Sequence, residues 1–199
     1  MPVKNPSKSS VDLPILPFET ADDWAAWLEA HHASSPGVWL MFAKKGSDIP
    51  SVTYAEALDA ALCHGWIDGQ KKANDAATWL QKFTPRGPRS IWSKINRDKA
   101  EGFINDGRMR PAGLAAIQRA KQNGQWDAAY DSPSKAVVPE DFQSELNRHP
   151  QALAFFATLN SANRYAMTFR IQTAKKAETR AKRIQEFIRM LENSEKFHP

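Results

Sequence analysis

With 199 residues, 42% of them hydrophobic and 25% charged, the chain can build a sizeable core as one large domain or two small ones. A net charge of +5 and a pI near 9.3 permit a polyanionic partner without requiring one. The single cysteine excludes an internal disulfide, no apolar run reaches the about 18 residues of a membrane span, and Met1–Ser10 lacks the apolar segment of a secretory signal, so a cytoplasmic location is expected.

Residues 1–17 read as a disordered arm, in which Pro14 and Pro17 oppose regular structure. Thr20 and Asp23 open a helix over 21–31, with Trp24, Trp27, Leu28 and His31 at helical spacing. Val38–Ala43 is a nearly continuous apolar run, expected as a strand covered on both faces. Thr53 and Glu56 form a capping box for a helix carrying Ala57, Leu58, Ala61 and Leu62, which Gly65 ends in a left-handed conformation. Trp66–Lys71 and Thr78–Phe83 follow as strands, joined by the turn residues Asn74–Ala77. The expected fold of this part is a small β-α-β-β sheet packed with helices.

Ser93 N-caps a helix from Lys94 with Ile95, Ala100, Phe103 and Ile104 on its apolar face and Gly107 as its stop. Pro111 starts another, with Leu114, Ile117 and Ala120 inward and Gly124 as its end. All seven tryptophans lie at or before Trp126, and Asp131–Ser134 has the chemistry of a linker. Beyond it Pro139, Pro150 and Asn160 begin three helices, and a fourth over 176–192 carries Ala177, Ala181, Ile184, Ile188 and Leu191 on one stripe. The predicted class is α+β: an α+β domain over 18–130, then an all-helical C-terminal domain over 131–199.

Two dense stretches draw the chemistry together, Ala61–Gln70 and Phe83–Lys94. Cys63 and His64 sit at a helix C-terminus, the wrong end to activate a thiol, and read as a buried filler and a helix-end residue. Asp68 is expected on a strand, facing away from Trp66 and Ile67, and Gly69 beside it leaves room for a close approach. Arg86 and Arg89 lie in a proline-stiffened Pro-Arg-Gly-Pro-Arg loop after the neighbouring strand. Asp68 with these arginines makes either a polar pocket that clamps an anion bidentately or a salt bridge tying loop to sheet. Trp66, Trp79 and Trp92 are either a stacking platform or core. Five histidines and one cysteine without ligand spacing imply no metal site, and the glycines of Gly107–Gly113 do not form a phosphate loop. The last helix has a basic face from Lys175, Lys176, Arg180, Lys182, Arg183 and Arg189, read as solvated or as a polyanion contact.

Ala61–Gly69, Pro85–Arg86 with Ser90–Asn96, Gly107–Gly113 and Ala174–Arg183, in that order, resemble the YdeI/OmpD-associated family, also described as bacteriocin-protection or OmdA-like, over nearly the whole chain from about residue 18. The family usually carries an aromatic where this chain has His64. The resemblance implies a part in tolerance of bacteriocins, cationic antimicrobial peptides and other envelope stress, with association to an outer-membrane porin and no settled enzymatic activity. Some members are placed in the periplasm; the start of this chain fits the cytosol better. The expected function is therefore a non-enzymatic stress-resistance protein. It would bind an anionic ligand or protein partner through Asp68, Arg86, Arg89, Trp66 and Trp92, with Asn96 from the Ser90–Asn96 motif, and no catalytic residue, cofactor or metal is assigned. Two alternatives stand beside it: a nucleic-acid-binding protein using the arginine loop and the last helix, and an enzyme on an anionic small molecule with Asp68 as base.

Overall fold

Helix caps and apolar periodicity set most element boundaries in the computed structural model, which describes residues 12–133 and 136–198. In chain order these are β1 (Ile15–Pro17), α1 (Ala21–His31), β2 (Val38–Ala43), α2 (Tyr54–Cys63), β3 (Trp66–Ala73) and β4 (Thr78–Pro85), then α3 (Lys94–Asn105), α4 (Pro111–Gln122), α5 (Glu140–Arg148), α6 (Pro150–Thr158), α7 (Ser161–Gln172) and α8 (Ala177–Glu192). The chain divides into two compact units: residues up to Ile91 together with Asp98–Asp127, and Trp92–Arg97 together with Ala128–Pro199. No helix among the described residues is long and apolar enough to cross a membrane.

The first unit holds a four-stranded mixed sheet in the order β1-β2-β4-β3. β4 is inserted between β2 and β3 and runs antiparallel to both, so the α2 crossover joins strands that are not neighbours. The expected arm is corrected at its end: Ile15–Pro17 forms a parallel edge strand on β2. Proline is admitted there because an edge strand needs only one side of its backbone, and Pro14 still supplies its carbonyl to the Trp39 N–H at 2.9 Å. The rest of the expected arm, residues 1–11, lies outside the described residues.

β2 is covered on one face, not on two. Val38, Leu40 and Phe42 are buried, while Trp39, Met41 and Ala43 remain half-buried. The buried face receives Trp24 of α1, whose ring centroid lies 5.7 Å from Phe83 and 6.3 Å from Trp66. Thr53 and Glu56 close both bonds of the capping box at the start of α2. Two predicted helix faces are narrower than expected: Ile95, Ile104 and Leu114 are exposed, and burial falls on Ala100, Phe103, Ala116, Ile117 and Ala120.

The second unit is built on a cluster of Phe142, Leu146, Phe156, Met167, Ile171, Phe187 and Leu191, with their neighbours on α5–α8. On α8 the buried stripe is Ile184, Phe187, Ile188 and Leu191, and Ala177 and Ala181 lie exposed instead. Arg180 ties this helix to α5 through a two-bonded fork, Nε to Asp141 Oδ2 at 2.6 Å and Nη2 to Asp141 Oδ1 at 2.8 Å. Its Nη1 donates to the carbonyl of Ile171 at 2.9 Å, which adds α7 to the joint.

The guanidinium holds the Asp141 carboxyl below the usual carboxylate range. A depressed folded value means that the contribution is full above the unfolded carboxyl pKa of about 4 and is lost as pH falls through the folded value. Both partners are partly solvated, so the expected cost of Asp141→Asn at neutral pH is about 1 kcal/mol or less. Urea unfolding should show the variant and the native chain converging in stability at acid pH; a gap that persists below about pH 2 would contradict the joint's ionic character.

Candidate functional site

α1 and α2 lie side by side, pinned where the Trp24 indole donates to the Ala57 carbonyl at 3.0 Å. The side chains facing the gap at Ala21, Ala25 and Ala60 are small and leave it open. The third wall is the loop between α3 and α4. Gly107, at φ +68, ends α3, and the N–H groups of Arg108 and Met109 then both donate to the Phe103 carbonyl at 2.9 and 3.0 Å. Arg110 N–H donates to the Cys63 carbonyl at 3.1 Å, and Pro111 starts α4.

Two glycines allow α4 to start so close to the end of α2. A Cβ at Gly113 would stand 2.4 Å from the Cys63 oxygen, and one at Gly65, itself at φ +73, would stand 2.6 Å from the Ala112 oxygen. The crossing carries Arg108 and Arg110 into the same cleft as Cys63 and His64. The cleft has a volume of about 380 Å³, with Asp22, Glu56 and Asp59 contributing carboxylates from the two helices.

The cleft's reactive groups are already committed. His64 is buried; its Nδ1 donates to the Ala60 carbonyl at 2.8 Å, beside its own backbone N–H on the same oxygen, and its Nε2 meets Glu29 Oε2 at 3.0 Å. That ring is the largest cause holding the Glu29 carboxyl below the usual range, and Arg110, whose Nε lies 3.7 Å from the same oxygen, adds to it. Burial pushes the Cys63 thiol up, against the pull of Arg108 and Arg110. Asp59 accepts from Lys99 Nζ at 2.5 Å, and Glu56 serves the capping box. Arg108 is steadied by its own guanidinium lying 4.6 Å from the centre of the Phe103 ring.

Most of the residues expected from the sequence to form the site engage structural partners of their own. Asp68 is half-buried on β3, and its Oδ2 accepts from the Tyr54 hydroxyl at 2.7 Å. It lies on the same face as Trp66, two residues away, rather than opposite it. Arg86 is 5% exposed and braces its own loop, Nη1 donating to the Ile91 carbonyl at 3.2 Å. Arg89 is exposed on the turn between Gly87 and Ser90. Trp66 is buried edge-on to Trp24 and Trp27 and donates its indole N–H to the His32 carbonyl at 3.1 Å, which makes it core. Trp92 and Asn96 belong to the second unit, Trp92 buried and Asn96 donating its backbone N–H to the Ser93 hydroxyl that caps α3.

Arg108 and Arg110 were not among the residues expected. The signal for them was present: two arginines in a short turn between a glycine stop and a proline start, the same stiffness that favoured the Pro85–Arg89 loop.

Residues 16–116 match the family model described as a domain of unknown function (DUF8412). Residues 135–194 match that of the Bacteriocin-protection, YdeI or OmpD-Associated proteins. No curated protein and no solved structure matches the chain. The YdeI match is narrower than the resemblance read from the motifs. It takes in Ala174–Arg183, whereas Ala61–Gly69 and Gly107–Gly113 fall in the domain of unknown function.

Gly69 is not among the glycines that geometry requires: a Cβ there would meet Lys82 at 3.8 Å, an ordinary contact, so no close approach depends on it. Gly65→Ala combines a left-handed backbone penalty of about 1–2 kcal/mol with a backbone clash, and thermal melting should fall by roughly 5 °C or more. Gly69→Ala should melt within about 2 °C of the native chain. Equal melting of the two variants would remove the crossing from its structural role.

Proposed function

We propose that this chain, which belongs to the domain-of-unknown-function family over residues 16–116 and to the bacteriocin-protection, YdeI or OmpD-associated family over 135–194, is a non-enzymatic tolerance protein whose α1–α2 cleft binds a small anion-bearing ligand. The observation that carries this reading is the convergence of Arg108 and Arg110, from one short motif, on a cleft walled by alanines. Each guanidinium is already steered, one over Phe103 and the other beside Glu29, so little side-chain freedom is lost when a carboxylate or phosphate is received in a fork. Asp22 and Asp59 on the helices offer acceptors to the ligand's donor groups. A binding role, not a catalytic one, fits a cleft whose thiol is pushed up by burial and whose imidazole has both nitrogens engaged.

The contact surface is thus assigned to Arg108 and Arg110 in place of the Asp68–Arg86–Arg89 grouping. Replacing both cleft arginines with alanine should lower survival under bacteriocin or polymyxin challenge by about tenfold or more while leaving the melting temperature within about 2 °C. Arg89→Ala should protect as well as the native chain does. Unchanged survival in the cleft variant, with loss in the Arg89 variant, would return the assignment to the arginine loop.

A further inference from the structure

We propose a second binding surface, for single-stranded nucleic acid, at the outer end of the β3–β4 hairpin. Lys44 and Lys45 from the loop after β2, Lys71 and Lys72 from β3, and Trp79 from β4 surround an open hollow of about 510 Å³, completed by Ala73. All the charged residues lining it are lysines, so the charge around the Trp79 floor is of one sign, while the Lys72 ammonium itself lies on the opposite face of β3, over Trp39.

The strand pairing builds this arrangement. The β3–β4 register shifts between Asp68, which pairs with Phe83, and Lys71, which pairs with Gln81. The extra residue of this bulge turns Lys71 toward the Asp68 face, where Trp79 also lies, and sends Lys72 to the other side. Buried Gln81 donates to the Gly69 carbonyl at 2.8 Å and so satisfies the bulge. Lys71 Nζ then stands 4.1 Å from the centre of the Trp79 ring, and Lys72 Nζ stands 4.1 Å from that of Trp39. Lys44 Nζ is anchored on the Asp75 carbonyl at 2.6 Å. The Asp75 carboxylate itself is turned into the hairpin, accepting from the N–H groups of Ala77 and Thr78 and from the Thr78 hydroxyl.

Trp79 is a fixed plane and not a protruding wedge. It stacks on Phe42 at 4.6 Å and 20°, with Tyr54 6.2 Å away. A strand of nucleic acid supplies what this surface lacks, phosphates for the ammonium groups and an aromatic face for the indole. Lys71 would pass from the ring to a phosphate and leave the plane to a base. A duplex hides its base faces in its own stack. A membrane would need an apolar side chain reaching beyond the lysines, and none of the lining residues provides one.

The test is fluorescence anisotropy of a labelled oligothymidylate of about 20 nucleotides with the full chain, from about 20 to 200 mM salt. The expected result is binding at low salt, quenching of tryptophan emission, and a log K against log salt slope of about −2 to −3, as for three to four phosphates on a single strand. Lys71→Glu with Lys72→Glu should weaken binding by about tenfold or more. Lys45→Glu, on an exposed loop, should weaken it several-fold and serves where the double variant fails to fold. Trp79→Phe should lower affinity while keeping the salt slope. The proposal is overturned by absence of binding at about 20 mM salt, by inorganic polyphosphate competing as well as the oligonucleotide, or by anionic vesicles binding more tightly than it.

Discussion

The first unit depends on one close crossing, the start of α4 laid against the end of α2. Its physical content is small: one backbone hydrogen bond from Arg110 to Cys63 and two positions, Gly65 and Gly113, without a Cβ. A side chain at either position would push the helices apart by more than a packed interior tolerates. That contact seats the Arg110–Gly113 end of the loop, while Arg108 and Met109 are bonded to Phe103. The stretch that first attracts the eye, Cys63-His64-Gly65, therefore matters as the surface on which an arginine loop is seated.

Charge follows the same geometry. Asp22 and Glu56 lie in the first turns of α1 and α2, while Arg110 sits against the carbonyl end of α2, so the cleft's carboxylates and guanidiniums complement the helix dipoles. His64 links the parts of this arrangement, since one ring nitrogen bonds the Ala60 carbonyl of α2 and the other reaches α1 through Glu29. A cleft whose polar groups are paired before any ligand arrives has little to reorganise on binding. The hairpin surface works on the opposite plan. Its lysines are alike in sign, fitted to a partner read by charge and stacking rather than by a shaped pocket.

The sequence made most helices legible because their ends carry local chemistry. Thr53 with Glu56, Pro111 and Asn160 each mark a start by a bond or a missing donor that neighbouring residues determine. What escaped was set by distant residues. β1 was hidden by prolines that an edge position excuses, and the half-open face of β2 was hidden by a run apolar enough for two covered faces. Ile95 and Leu114 read as core because periodicity names a face without saying whether anything covers it. The proposed cleft was harder still. Asp22, Asp59, Arg108 and Arg110 are brought together only by the packing of three helices, whereas Asp68 and Arg86, near in sequence pattern, each find a structural partner at hand.

The central claim is that the anion-receiving arginines are those of the α3–α4 loop. The most direct measurement is to follow the Nε–H resonances of individual arginines by NMR while citrate, as a small polyanionic probe, is titrated into the full chain. The expected result is saturable movement of Arg108 and Arg110 together with the amides of Cys63 and His64, while Arg86 and Arg89 stay in place. Movement of Arg86 and Arg89, with Arg108 and Arg110 unperturbed, would contradict the account.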